Sequence, residues 1–353
     1  MTRTTPLDPA AVDDDSSPTT AADVFAARGR TPLQRIQHVL HGHPALSPLL
    51  VLAMASVVFT SLNSRFAEAG SISLVLQQAA IIAALAIGQT LVVLTAGIDL
   101  SVGAVMVLAM MVSATLHAES GLPAPLAVLL GIAIGTACGA LNGLLVTRLK
   151  LPPFIATLGT LSVFTALTLL YTKGQSIQAS DMDDLMLWTG NVIRFGDFTI
   201  TYGVVMVAVL YLVFHFALTQ TRWGKHVYAV GDDPEAARLA GISVDRVLLS
   251  VYAVAGLVFG LTAWLMIGRA SAAGTNAVPQ ANLESITAVV IGGTSLFGGR
   301  GTLAGTAVGA LIVYAFNSGL SLAGVDQNYR ILAIGILVIV AVSIDQWIRK
   351  VRA

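Results

Sequence analysis

Charged residues are scarce in this chain. Asp, Glu, Lys and Arg make up 11% of its 353 residues, whereas soluble domains carry about 25%. Apolar residues make up 56%, and the mean hydropathy is +0.81. The 19 basic and 19 acidic side chains cancel, so no excess of charge favours binding to nucleic acid. The composition therefore argues against a soluble enzyme and predicts an integral membrane protein.

Cysteine is almost absent, and the residue patterns of catalytic sites are missing. The lone Cys138 has no disulfide partner within the chain and is expected to pack as a small hydrophobe. No His-Glu-x-x-His spacing and no Ser/His/Asp order occurs. His38, His41 and His43 have no ligand partners nearby. We therefore predict no metal site and no catalytic activity, so that energy for any transport must come from elsewhere.

The first 44 residues differ from the rest of the chain. They are rich in Ser, Thr, Pro and Ala, and they lack the apolar core and cleavage site of a secretory signal peptide. We predict that residues 1–44 form a disordered cytoplasmic tail with a short helix around Leu33–Leu40. Residues 45–347 are then a transmembrane domain, and residues 348–353 a short cytoplasmic tail.

Ten apolar segments follow the tail, and a spanning helix needs roughly 20 apolar residues. Val102–Leu116 and Ser285–Phe297 are too short to cross the bilayer unless they are broken, tilted or extended by polar residues. The sequence predicts an all-α membrane protein with about ten transmembrane helices. The predicted spans are Ala45–Leu62, Leu74–Ala96, Val102–Leu116, Ala124–Val146, Phe154–Thr172, Tyr202–Leu218, Leu248–Ile267, Ser285–Phe297, Leu303–Ala323 and Ile331–Trp347.

Basic residues set the expected orientation. With ten spans both termini lie on one side, together with the loops at 147–153 and 219–247. Most Lys and Arg residues fall on that side, which the positive-inside rule assigns to the cytoplasm. The polar stretch Lys173–Thr201 is then outside. Spans two and seven run in opposite directions, as an inverted repeat requires.

Glycines recur every fourth residue in several spans, which lets helix backbones approach closely in lipid. We interpret these ridges as packing surfaces. The run from Gly293 to Arg300 lacks the Lys-Ser/Thr ending of a P-loop, so it does not predict nucleotide binding. The ridges are Gly131, Gly135, Gly139 and Gly143; Gly256 and Gly260; and Gly301, Gly305 and Gly309.

The loop 219–247 contains the signals of one short helix. Asp233 is suited to cap its start, Pro234 to its first position, and Glu235 to the positive end of its dipole. Gly241 can adopt the left-handed conformation that ends it. We therefore predict a helix over Pro234–Ala240 at the membrane surface. It either lies on lipid headgroups or sits in a groove of another protein, which would stabilise so short a helix.

Four stretches resemble the permease subunits of ABC importers, in the ribose-type branch. Glu235-Ala-Ala, followed by three residues and Gly241, is similar to the motif with which these permeases dock on their ATPase. The resemblance covers about residues 45–350, and the N-terminal tail departs from it. The other stretches are Ala-Gly-Ile-Asp-Leu-Ser-Val-Gly at 96–103, Leu-Pro-Pro-Phe-Ile-Ala-Thr-Leu-Gly at 151–159 and Val-Ile-Gly-Gly-Thr-Ser-Leu-Phe-Gly-Gly at 290–299.

The resemblance implies a type II permease fold, like that of the vitamin B12 importer, in the bacterial inner membrane. It implies a homodimer that passes a monosaccharide, a ribose-like pentose or a hexose. The implied partners are a cytoplasmic ATPase, which binds the ATP, and a periplasmic or lipid-anchored sugar-binding protein. This chain itself would need no cofactor. The implied coupling residues are Asp233, Pro234, Glu235, Ala236, Ala237 and Gly241.

Polar residues within or beside the spans are candidates for the translocation pathway. Amides and hydroxyls match the hydroxyls of a neutral sugar, but buried polar groups in lipid also need partners, so interhelical hydrogen bonding is the alternative. An ionised carboxylate at mid-bilayer costs at least about 2.5–3.5 kcal/mol. Asp99 could instead lie near a membrane face and cap a helix beginning at Leu100. The pathway candidates are Asp99, Gln89, Asn142, Thr157 and Glu284.

Other transport functions remain open on the sequence. A self-sufficient secondary transporter or channel would need buried ionisable groups, and few charges lie in the centres of the spans. Related permeases carry branched-chain amino acids or nucleosides. The segment 96–101 favours a sugar, but only by resemblance.

The orientation can be tested by cysteine labelling in intact cells. After replacement of Cys138, a cysteine introduced by Ser243→Cys should resist an impermeant thiol reagent, because the loop 219–247 is predicted to be cytoplasmic. A cysteine introduced by Lys173→Cys should react. Labelling of the Ser243→Cys variant from outside would contradict the ten-span topology.

Overall fold

The computed structural model of the chain describes residues 46–350. The expectations for residues 1–44, with their short helix and three histidines, lie outside the described residues, as do residues 351–353. The described part is built from helices, with four short strands. The helices are α1 (Leu46–Leu62), α2 (Ala69–Leu94), α3 (Val102–Ser120), α4 (Ala124–Thr147), α5 (Pro153–Thr172), α6 (Asp184–Leu187), α7 (Tyr202–Gln220), α8 (Arg222–Asp232), α9 (Pro234–Leu239), α10 (Val244–Ala270), α11 (Ala281–Ile291), α12 (Leu303–Leu322) and α13 (Gln327–Lys350). The strands are β1 (Ile177–Gln178), β2 (Val192–Phe195), β3 (Phe198–Thr201) and β4 (Ala272–Ala273).

Nine of the ten predicted spans coincide with one helix each, Ser285–Phe297 is the exception, and the all-α membrane fold is confirmed. Seven of the described helices are long and apolar enough to cross a membrane: α2, α3, α4, α5, α7, α10 and α12.

The two spans that were predicted to be too short differ from their helices in different ways. The segment predicted as Val102–Leu116 continues through polar residues to Ser120, so α3 has 19 residues and is not too short to cross. Ser285–Phe297 is not one helix, because α11 has 11 residues and ends at Ile291. Gly293, with φ +84°, then turns the chain into a glycine-rich loop over residues 292–302.

Two long helices, α2 and α10, form the centre of the fold. Every side chain of α2 from Ala79 to Leu94 is buried. Gly88 of α2 lies against Ala255 and Phe259 of α10, and Gly97, just past the end of α2, lies against Tyr252. Residues later in the first segment thus contact residues earlier in α10, which means that α2 and α10 run antiparallel.

The helices around this central pair are arranged in two matching sets. Helix α4 packs against α10, and in the equivalent position of the other set α12 packs against α2. Likewise, α3 contacts α10 and α5, while α11 contacts α2 and α13. This exchange of partners between α2–α5 and α10–α13 supports the inverted repeat predicted from the sequence.

The glycine ridges are packing surfaces, as predicted. Gly135 and Gly139 of α4 lie directly on the backbone of α10 at Gly256 and Gly260, where an added Cβ would overlap main-chain atoms. On α12, Gly305 and Gly309 press in the same way against the end of α11. Lipid tails are as apolar as the side chains, so such close van der Waals contact replaces the hydrophobic effect in holding these helices together.

The two ends of the helix bundle differ. One end carries the polar segment with α8 and α9. At the other end, residues 173–201 form a small cap, in which β2 pairs with β3, and β1 of this cap pairs with β4 just after α10; both pairs are antiparallel. Trp188 of this cap stacks on Trp264 of α10, with ring centroids 5.6 Å apart. We refer to these as the α9 end and the cap end.

The contact between α4 and α10 leads to a stability prediction. Gly139→Val should lower the thermal unfolding midpoint of the purified chain, since overpacking costs about 1–3 kcal/mol even where side chains rather than backbones must yield. Gly159→Val is the matched control, because nothing lies within 4 Å of a Cβ at Gly159. Equal midpoints for the two variants would contradict this account of the interface.

Candidate functional site

The short helix α9 has the end signals that its sequence predicts. The side chain of Asp233 accepts hydrogen bonds from the backbone N–H of Glu235 at 2.9 Å and of Ala236 at 3.0 Å. Pro234 occupies the first turn, and Gly241 has φ +83°. The predicted end at Ala240 was off by one residue, since the helix ends at Leu239 and Ala240 is its C-cap.

The outer surface of α9 is open. Leu239 is 88% exposed, and the carboxylate of Glu235 pairs with Arg238 at 3.2 Å in solvent. Of the residues predicted to couple, Ala237 alone is buried. An exposed leucine beside a charged pair, on a helix fixed at both ends, is a surface that another protein could hold.

Helix α8, which precedes α9, was not predicted from the sequence. Thr221 caps its start by accepting a hydrogen bond from Gly224 N at 3.2 Å. Val227 and Val230 are buried, and the indole of Trp223 donates to Ser250 of α10 at 2.9 Å. The spacing of Trp223, Val227 and Val230 is that of one helical face, and this periodicity could have revealed the helix.

Helix α8 connects α9 to the membrane core through backbone contacts. Gly231 rests on the carbonyl oxygen of Leu94, the last residue of α2. The same carbonyl accepts a hydrogen bond from Gly299 N, at 2.9 Å, in the loop after α11. Tyr228 donates its hydroxyl to Gly301 O at 2.8 Å, and burial raises the pKa of this phenol, which keeps the donor protonated. Segment α8 thus meets the end of α2 and the 292–302 loop at one junction.

Asp99 lies in the connection between α2 and α3 and is fully enclosed, with 1% of its surface exposed. Its Oδ1 accepts hydrogen bonds from the backbone N–H and the hydroxyl of Ser101, both at 2.7 Å. The proposed cap on a helix starting at Leu100 was wrong, because α3 starts at Val102 and Leu100 N donates instead to Thr157 Oγ1 at 3.1 Å.

Asn142 and Thr160 extend this polar network into α4 and α5. The amide of Asn142 donates to Ser101 Oγ at 2.8 Å, and its oxygen accepts from Thr160 Oγ1 at 2.7 Å. Three of the five pathway candidates, Asp99, Asn142 and Thr157, therefore belong to one buried arrangement. It ties the 95–101 connection to two neighbouring helices, which is the interhelical bonding that the sequence left open.

Gln89 and Glu284 lie apart from this network. Gln89 is completely buried in α2, and neither its amide nitrogen nor its oxygen has a hydrogen-bond partner among the described residues. Glu284 is in the first turn of α11 and lines a cavity of about 480 Å³ that also contains Arg269 and Arg330. Neither arginine was predicted from the sequence to lie near Glu284.

The part of the chain that the structure describes contains no group of His, Cys, Asp or Glu side chains arranged to hold a metal ion. His117 takes part in local structure, with Nδ1 at 2.7 Å from Leu122 O and Nε2 accepting from Asp183 N at 3.1 Å. The site residues thus form a surface helix, a backbone junction, a buried polar network and a charged cavity.

Comparisons with known proteins agree on a family. The family model described as "Branched-chain amino acid transport system / permease component" matches residues 71–342. A fructose import permease of Rhizobium meliloti is 47% identical over 343 residues, covering 96% of this chain and 95% of that protein. A ribose import permease of Bacillus subtilis is 38% identical, over 85% of this chain and 92% of that protein. A D-allose transport system permease of Escherichia coli is 33% identical, over 85% and 91%. No solved structure matches the chain.

The network around Asp99 gives a pair of variants with different expected stabilities. Asp99→Asn should keep the unfolding midpoint close to that of the wild type, because an amide oxygen can accept both bonds from Ser101. Asp99→Ala should lower it, because a buried N–H and a buried hydroxyl lose their acceptor, at about 1–3 kcal/mol per unsatisfied group. Thermal unfolding of the purified chain checks both. An equal loss in the two variants would show that the charge, and not the acceptor, stabilises the connection.

Proposed function

The chain belongs to the family of branched-chain amino acid transport system permease components, and from this membership we propose that it is the membrane permease subunit of an ATP-driven monosaccharide importer. The names of its relatives support the substrate class, since fructose, ribose and allose are all monosaccharides. The description of the family names branched-chain amino acids, which makes these the second candidate substrate.

The partners belong to the same proposal. An importer of this kind needs an ATPase in the cytoplasm and a sugar-binding protein outside, and the permease works as a homodimer in the inner membrane. We assign the α9 end to the cytoplasm and the cap end to the outside, following the distribution of basic residues. ATP is bound and hydrolysed by the partner, and this chain is the passive element that the ATPase moves.

The observation that carries the proposal is the geometry of α9. A helix of six residues is marginal in water even with good caps. Its exposed Leu239 and its Glu235–Arg238 pair face away from the chain, so a groove on the ATPase would both bind and stabilise it. The ion pair and the apolar tip together favour a protein surface over lipid headgroups.

A path for the movement follows from the junction at Gly231. When α9 is displaced, α8 moves with it, because only Asp233 separates the two helices. Gly231 touches the end of α2, and Gly299 is hydrogen-bonded to the same carbonyl. The connection 95–101 begins at this end of α2 and is bonded to α4 and α5 through Ser101, Asn142 and Thr157. We therefore propose that closure of the ATPase reaches α2, α5 and the loop after α11, besides the neighbouring α7 and α10.

A single backbone change in α9 tests the coupling. Gly241→Val should separate ATP hydrolysis from sugar uptake, because a Cβ at φ +83° costs about 1–2 kcal/mol and shifts the end of the helix. The assay is uptake of labelled fructose and ATP hydrolysis by the permease, reconstituted in liposomes with its ATPase and binding protein. Glu235→Lys, which reverses the charge next to Arg238, should weaken the same coupling.

Gly196→Val is the matched control. Gly196 also has positive φ, +63°, and nothing lies within 4 Å of its Cβ position, but it is in the turn between β2 and β3 at the cap end. It should suffer similar backbone strain and keep hydrolysis coupled to uptake. Normal ATP-driven uptake by both Gly241→Val and Glu235→Lys would overturn the coupling role of α9. Uptake of leucine but not of any monosaccharide by the wild type would favour the second substrate.

A further inference from the structure

The charged cavity is assembled from five helices. It has a volume of about 480 Å³ and lies among α2, α10, α11, α12 and α13. Ligand pockets typically measure about 300–1,000 Å³. Its polar lining includes Gln78, Arg269, Gln280, Glu284, Asn317 and Arg330.

The position of the cavity follows from the helix ends around it. Arg269 is next to the last residue of α10, Arg330 is in the first turn of α13, and Asn317 is in the last two turns of α12. These helix ends lie opposite α9, because α10 begins beside α9 and ends where β4 joins β1. The cavity is therefore at the cap end, the side that we assign to the outside.

Several polar groups in the cavity have unused hydrogen-bonding capacity. Among the side chains that the structure describes, Arg269 has no hydrogen-bond or ion-pair partner, and its Nε is buried. Arg330 donates from Nη1 to Asn317 Oδ1 at 2.9 Å, while its own Nε is buried without a partner. Glu284 accepts from Tyr314 Oη at 3.0 Å through Oε2, which leaves Oε1 as a further acceptor.

Unpaired guanidinium groups and a carboxylate are expensive to hold inside a membrane protein unless they face a water-filled cavity or a substrate path. A second cavity, of about 320 Å³, makes the contrast clear. It lies between α3, α5 and the start of α11, around Thr165 and Asn282, and none of its described lining residues is charged. Of these two cavities, only the larger one is lined, among the described residues, by charged side chains with unused hydrogen-bonding capacity.

We propose that this cavity is a binding site for the transported neutral sugar within each permease chain, with Arg269 and Glu284 as its principal contacts. The inference rests on the proposed function and names the residues that would hold the substrate. A sugar hydroxyl both donates and accepts, so a neutral polyol can use a guanidinium and a carboxylate in one site. Glu284 opposes a free phosphate or a lipid phosphate, which two arginines alone would attract.

Protection of a cysteine tests the site. In a chain that carries Cys138→Ser and Gln280→Cys, reconstituted in liposomes, fructose should slow labelling by an impermeant thiosulfonate. Gln280 is a suitable reporter, because it lines the cavity and its side chain makes no hydrogen bond to any residue that the structure describes. Thr165→Cys, at the uncharged cavity, is the matched control and should be labelled at the same rate with and without fructose.

Changes of the two principal contacts should weaken the protection. Arg269→Gln and Glu284→Gln should each raise the fructose concentration for half-protection of Gln280→Cys about tenfold, the scale expected for loss of a hydrogen bond to a charged group. Gln78→Ala, at the exposed rim, should change it much less. If either charge variant fails to insert, protection in the chain with the wild-type contacts still decides the question.

Three outcomes would overturn the site. It is wrong if neither fructose nor ribose protects Gln280→Cys while the reconstituted importer takes up either sugar, and the proposed function then stands alone. It is also wrong if inorganic phosphate protects in place of sugar, or if Thr165→Cys is protected as well as Gln280→Cys. Absence of any sugar uptake by the wild-type importer would instead overturn the proposed function.

Discussion

The direct contact of backbones at glycine is the constraint on which this structure depends. In lipid, burial of apolar side chains does not by itself drive helices together, so their association needs close packing. Gly135 and Gly139 place α4 against α10, and Gly305 and Gly309 do the same for α12 and α11. Once these distances are set, the long buried helix α2 fits between the two sets, with its side chains fully enclosed along most of its length.

Polar groups define how the packed helices are positioned along their axes. Close contact fixes distances between helices, but it leaves sliding along their axes less defined. The bonds from Asn142 to Ser101 and from Leu100 N to Thr157 fix the 95–101 connection to two helices at defined points. Each bond satisfies groups that would otherwise be buried without a partner, and this need is strongest where water is absent. The 95–101 connection, which follows the end of α2 at the junction with α8, is thus bonded to both α4 and α5.

The spans could be predicted from the sequence because lipid imposes a minimum apolar length, and a long apolar segment has few alternatives to a helix. The caps of α9 were equally accessible, since Asp233, Pro234 and Gly241 act on the residues next to them.

Helix α8 was not predicted, because its apolar face is short and lies in a segment that was interpreted as a loop. The bonding of the 95–101 connection was not accessible either, since its partners Thr157 and Asn142 are distant in sequence. The charged cavity was the least accessible feature. Its residues Arg269, Glu284 and Arg330 lie at the ends of three different helices, so their proximity depends on how these helices pack.

The contact of Gly231 with Leu94 has an evolutionary consequence. It joins main chain to main chain, so neither residue's side chain contributes to it. Side chains around the contact could be exchanged over time without altering how the two segments meet. Gly231 itself has no such freedom, because any larger residue would have to be matched by a displacement of the end of α2 and of the loop at Gly299. During evolution, the residues around this contact could thus be substituted while Gly231 itself stays unchanged.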